Sequence, residues 1–179
     1  MNSTLRHQFS KFAVRIIVAS SILGAFGPNS ALAQRPWGDV GTSGTPIGSW
    51  LTTYQITVFG GNTPVLLSFN GDGNVIETDT PLPTPFGGSI GTVVLSNGHG
   101  AWKPTGERTL SFTYRKEIFH ADGSYYGIAQ TNGTAKVSSD GTHLELTLSL
   151  LKIIDSEGNV AFSTTGTGTA TRIAVEASN

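Results

Sequence analysis

The stretch "RTLSFTYRKEIFH", residues 108–120, sets Leu110, Phe112, Tyr114, Lys116 and Ile118 on one parity of a β-strand. A lysine among apolar and aromatic neighbours is the first candidate for chemistry. A desolvated ammonium can anchor a ligand carboxylate, or shift its pKa for catalysis. It can also lay its stem on a wall and carry its head to the rim, which is the commoner behaviour of a lysine. Tyr54, Trp102, Phe112 and Tyr114 are candidate aromatic wall residues of a ligand site, although such residues more often simply fill a core.

Histidine adds little. His120 sits beside a turn and His143 on a polar parity, so both read as surface residues. His99, between Gly98 and Gly100, has the freedom to approach the mouth of a pocket as a polar contact, and a solvent-facing loop histidine is the plainer reading. The three share no metal-ligand spacing. No Gly-x-Ser-x-Gly elbow and no phosphate loop occurs. "NGDGN", residues 70–74, lacks the spaced acids of a calcium loop. No catalytic residue, metal or cofactor is therefore implied.

The elements that position these residues begin after an N-terminal segment of a different kind. Residues 1–15 carry Arg6, Lys11 and Arg15 and no acid, "IIVASSILGAFG" is a short apolar run, and "PNSALAQ" ends in small residues. That is the layout of a signal peptide with cleavage after Ala33, and the run is too short for a comfortable membrane span. Export to the periplasm or the cell exterior is the expectation, with no stable membrane span after cleavage. Residues 34–46, rich in Gly, Pro, Ser and Thr, read as a flexible leader. Residues 47–176 form the remaining domain. Of 11 Lys/Arg and 12 Asp/Glu, three basic residues and no acid fall in 1–33. The remainder is acidic, with no basic surplus to hold a phosphate backbone, so nucleic acid is not an expected partner. The chain has no cysteine, which excludes disulfides and thiol chemistry.

Beyond residue 47 the chain is short alternating runs divided by turns. "NGDGN", "ADGS", "SDGT" and "SEGN" supply the positive-φ positions of tight hairpins. The pattern predicts strands at 48–59, 63–69, 73–79, 92–96 or 99–104, 108–119, 124–138, 142–154 and 159–174. That is an all-β, antiparallel up-and-down arrangement of about eight strands, and closing it into a barrel removes its edges. Three parities read as inward faces. One is Leu144, Leu146, Leu148 and Leu150. A second is Val160, Phe162, Gly166, Gly168, Ala170 and Arg172. The third is Tyr125, Gly127, Ala129, Gly133, Ala135 and Val137. The small residues allow sharp curvature or leave space inside. "TPLPTPFGGSIG", residues 80–91, has three prolines and three glycines and cannot be a central strand. Over a barrel it is the natural lid, with Phe86 its apolar anchor.

Closure also sets the last strand beside the first. Arg172 then meets Trp50, where a guanidinium over an indole contributes ~0.5–2 kcal/mol, and Gly48 permits the close approach. Gly48-Ser49-Trp50 with Arg172 resembles the Trp–Arg pair of the calycins, the lipocalin-like barrels, and "GHGAWKPTGERTLSFTYRKEIFHADGSYYGIA" resembles a segment of small exported bacterial members. The chain lacks the Thr-Asp-Tyr turn, the cysteine pair and the C-terminal helix of typical lipocalins. The resemblance implies a cup for a small, mainly apolar molecule, with Trp50 and Arg172 closing its floor. Tyr54, Phe86, His99, Trp102, Phe112, Tyr114 and Lys116 are its candidate ligand residues. Two alternatives share the layout: an isomerase or cyclase of the allene-oxide-cyclase or dirigent kind, and a structural or interaction barrel filled by its own side chains.

Overall fold

The computed structural model describes residues 44–56, 61–79, 83–86 and 90–174, with the backbone alone at 61–63. The segment expected to be a signal peptide and most of the expected leader lie outside these residues. Ten strands run in chain order: β1 Gly48–Ile56, β2 Gly61–Phe69, β3 Asn74–Thr78, β4 Thr84–Pro85, β5 Thr92–Leu95, β6 Gly98–Pro104, β7 Thr109–His120, β8 Tyr125–Val137, β9 His143–Asp155 and β10 Val160–Arg172. Eight of them close an antiparallel barrel in the order β1-β2-β3-β6-β7-β8-β9-β10, and β10 pairs back onto β1. No described helix is long and apolar enough to cross a membrane.

The turn residues explain the connectivity. Asp72 accepts the backbone N–H of Asn74, Asp122 that of Ser124, and Asp140 that of Thr142. Asp155 accepts those of Glu157 and Asn159. Each carboxylate thus folds the chain back on itself two residues on, beside a glycine whose φ lies between 73° and 89°. The Ser138 hydroxyl on Asp140 and the Ser124 hydroxyl on Asp122, with these backbone hydrogen bonds, hold all four aspartates below the usual carboxylate range, Asp140 at about 2.

The sequence left 92–96 and 99–104 as alternatives. Both are strands, because they form one bulged strand along β7. Leu95 opposes Ile118 and His99 opposes Arg115, so one extra residue is accommodated around Ser96 and Asn97. The short β4 pairs with β5 on the side away from β7. Of 80–91, residues 83–86 and 90–91 are described, and there Thr84 and Pro85 pair with Val93 and Thr92 while the Phe86 N–H donates to the Gly91 carbonyl.

Bulges also reset three of the inward faces. In β9, Gly133 opposes Leu148 but Asn132 opposes Leu150, so Ser149 is extra. Leu144, Leu146 and Leu148 point inward as expected; above the bulge Leu151 and Ile153 take over and Leu150 does not. Between β7 and β8, Ile118 opposes Gly127 but Phe119 opposes Tyr125. Tyr125 is turned out to 49% exposure as a result. On β10, Gly168 and Ala170 are buried, whereas Val160 is 59% exposed beyond two register shifts.

The interior divides by height. The end carrying Trp50, Phe69, Val75, Trp102, Leu110, Val137 and Leu144 is filled by buried side chains in mutual contact. Phe69 meets Trp102 and Phe112 edge to face at 5.8 and 6.0 Å. The small residues of β8 and β10 are not voids there. A Cβ at Gly133 would lie 2.6 Å from the Phe112 ring, and one at Gly168 would lie 2.9 Å from the Tyr54 ring. The glycines make room for aromatics reaching across from neighbouring strands. A second cluster, Ile90, Val93, Ile118 and Ile153, lies where the longer strands β7 to β9 meet the β4–β5 pair, and Phe86 packs on it.

Trp50 and Arg172 close the packed end. They are register partners, with the guanidinium 4.2 Å from the indole centroid. Trp50 is fully buried, and its Nε1 donates to the Pro46 carbonyl at 2.8 Å. Arg172 also donates to the carbonyls of Ile47, Thr45 and Gly141, tying the entry to β1 and the β8–β9 turn to the last strand. Gly48, at φ 131°, has the Arg172 Nη1 only 2.8 Å from where a Cβ would stand, so a side chain there displaces the guanidinium.

Candidate functional site

The other half of the barrel holds a cavity of about 340 Å³. Ile56 and Val65 from β1 and β2, Leu95 from β5, and Leu151 and Ile153 from β9 supply most of its apolar wall. Ala129 from β8 keeps the wall thin, and Thr84, Pro85 and Phe86 line it from above.

One polar cluster interrupts this lining. Lys116 stands on β7 between two inward residues, Tyr114 and Ile118, and its ammonium turns into the barrel. Nζ donates to Glu77 Oε1 and to Asp79 Oδ2, each at 2.7 Å, and lies 2.6 Å from Glu77 Oε2. Glu77 comes from β3 and is wholly buried; Asp79 follows one residue beyond that strand and is 12% exposed. Lysine snorkelling to the rim was the commoner expectation. Lys116 instead stays inside, because the carboxylates of Glu77 on β3 and Asp79 just beyond it replace its water. Glu77 is pulled two ways. Burial raises its pKa and the Lys116 charge lowers it; burial prevails, and the carboxyl is pushed up to about 7. Its Oε2 has the Lys116 ammonium at 2.6 Å, and the Gly98 backbone also hydrogen-bonds the carboxyl.

Beside the cluster lie two phenols. The Tyr114 hydroxyl donates toward the Tyr54 hydroxyl at 3.4 Å, and Thr131 lies within reach of Tyr114. Burial holds both phenols well above their usual pKa, so both remain proton donors at neutral pH. Gly98 on β6 lets these groups meet: a Cβ there would lie 2.8 Å from the Tyr114 ring and 3.1 Å from Glu77 Oε2.

Four of the seven ligand residues expected from sequence converge here: Tyr54, Phe86, Tyr114 and Lys116. Three do not. Phe112 and Trp102 belong to the packed end, where Trp102 Nε1 donates to the Asn70 carbonyl at 2.9 Å. His99 is exposed, on the opposite parity of β6 from Trp102. His120 packs edge to face on Tyr126 at 5.1 Å, and His143 Nδ1 shares a 2.7 Å hydrogen bond with Thr142 Oγ1. Among the described residues no group of three or more acids and histidines is placed to hold a metal.

Glu77 and Asp79 went unnoticed in the sequence. The signal was present: in "NVIETD" Val75 is inward, and alternation carries Glu77 and Asp79 to the same face. What this arrangement can do chemically is hold a hydrogen-bonding head group at one end of an apolar chamber. Glu77 also offers a carboxyl able to take up or release a proton near neutrality. Compared with known protein families, curated proteins and solved structures, the chain matches none of them.

Proposed function

We propose that the protein is an exported, lipocalin-like barrel that binds a small, mainly apolar molecule in the half of its interior away from the Trp50–Arg172 pair. The observation that carries this reading is the division of the interior: one end is filled by buried side chains, and the other encloses about 340 Å³ under the β4–β5 pair. Binding pockets are typically concave and apolar with a few placed polar groups, which describes this chamber. At ~30 Å³ for a water-sized unit of liquid, the space suits about ten to twelve non-hydrogen atoms. That is the size of a monoterpenoid or a medium-chain lipid. Export rests on the N-terminal sequence, and a mature N-terminus at Gln34 is its signature. The Trp50–Arg172 contact supports likeness to the calycins.

Filling the chamber tests the reading. Ala129 is half-buried on its wall. Ala129→Phe should preserve the fold and its cooperative unfolding, since the added ring enters empty space. It should also remove calorimetric binding of 1-decanol to the full chain. Undiminished binding in Ala129→Phe would place the ligand elsewhere.

One observation favours the isomerase or cyclase reading as well. Glu77, held at about 7, stands beside Lys116 and two protonated phenols, and perturbed acids in apolar pockets are frequent in catalytic sites. A bound molecule recovered chemically altered from the wild type but unaltered from Glu77→Gln would decide for the enzyme. The filled structural barrel has least support, because the side chains leave the upper chamber open.

A further inference from the structure

We propose that this chamber selects ligands whose head group donates a hydrogen bond, an alcohol or an amine, and rejects carboxylates. The inference rests on the binding reading above and deepens it by naming the ligand class.

An inward lysine in an apolar barrel suggests an anchor for a fatty-acid carboxylate. The geometry removes that role. Nζ has three N–H bonds, and the carboxylates already take them: Glu77 Oε1 and Asp79 Oδ2 at 2.7 Å, with Glu77 Oε2 at 2.6 Å. The Lys116 side chain is only 9% exposed, so its ammonium has these carboxylates in place of water. One ammonium against two carboxylates makes the cluster net acidic when both acids are ionised. A third carboxylate would find no spare ammonium N–H and would enter against like charge.

What the cluster offers instead is acceptors. Glu77 Oε2 is buried at the cavity wall with the Lys116 ammonium 2.6 Å away, and a carboxylate oxygen, having two lone pairs, can accept a second donor. A donor head group that reaches these oxygens meets acceptor capacity and negative charge, which a carboxylate cannot use. Asp79, at the same wall and 12% exposed, is the second acid within reach of an entering head group. The walls beyond, Val65, Leu151 and Ile153, take the apolar body.

The test is a calorimetric series on the full chain at pH 8 with three ten-carbon probes below their solubility limits: 1-decanol, decylamine and decanoate. Decanol and decylamine should bind, with decanoate weaker by about 100-fold or more, since like-charge juxtaposition costs several kcal/mol and each 1.4 kcal/mol is tenfold. In Glu77→Gln/Asp79→Asn the ammonium is the cluster's only charge, and the order should reverse in favour of decanoate. Decanoate binding to the wild type as tightly as decanol overturns the head-group inference and leaves the apolar cup standing. Binding of none of the three overturns the cup itself. The wild-type series decides the matter even where the double variant fails to fold.

Discussion

Replacing Trp50 by alanine should lower unfolding free energy by about 3–5 kcal/mol, the range for removing a large buried aromatic. The indole is fully buried, its N–H is satisfied by Pro46, and its face is covered by Arg172. Truncation opens a void at the packed end and leaves the Pro46 carbonyl without this donor. Arg172→Ala should cost less, although more than the cation–π contact alone, because three backbone carbonyls lose their donor with it. The pair should couple by ~0.5–2 kcal/mol in a double-mutant cycle followed by urea denaturation. Strictly additive losses would show that the contact contributes nothing and that the barrel is closed at this end by other means.

The second large effect lies at the other end. Lys116→Met removes the only cation held between Glu77 and Asp79, and breaking a buried pair in this way costs about 3–5 kcal/mol. The loss should be largest at pH 8 and smaller at pH 5, where Glu77 takes up a proton and the repulsion is relieved. The wild type carries its own pH signature from the same carboxyl. Its folded pKa, about 7, lies above the ordinary 4.5. Between those values the unfolded chain is ionised while the folded chain keeps its proton. The Glu77 contribution to stability therefore falls as pH rises from 4.5 to 7, by roughly 3 kcal/mol over the window. The groups facing it are Lys116 and Tyr114 from β7, Tyr54 from β1, Asp79 beyond β3 and the Gly98 backbone of β6. Glu77→Gln should flatten this part of the profile, because a glutamine does not titrate. Denaturation curves at pH 5 and 8 that fall equally in wild type and Glu77→Gln would mean that the carboxyl is not desolvated in the folded protein.

The barrel was legible because its determinants are local. Four Asp/Glu-Gly turns specify consecutive antiparallel neighbours, and alternation names the inward parity between them. The approach of Trp50 to Arg172 follows from chain order once the sheet closes. Bulges were not legible, since a single extra residue at Ser149 or around Asn97 leaves no mark in composition yet reverses every face beyond it. Leu151 and Ile153, rather than Leu150, line the chamber for that reason. The site was half legible. Aromatics and a lysine on one parity of β7 announced themselves. Their partners Glu77, on β3, and Asp79, just beyond it, lie 39 and 37 residues away in sequence. Nothing but register decides whether such an acid meets that lysine or water. Trp102 and Phe112 share the inward parity with Tyr114, and only their height in the barrel separates packed floor from chamber.

The central claim is that the chamber, and not the packed end, receives the ligand. Methyl-labelled protein titrated with 1-decanol and followed by NMR tests it most directly. Ile56, Val65, Leu151 and Ile153 should shift together and saturate at one equivalent, while Leu110, Val137 and Leu144 at the packed end stay in place. Shifts confined to the exposed Leu51 and Leu66, or no saturable shift in any chamber methyl, would contradict the account.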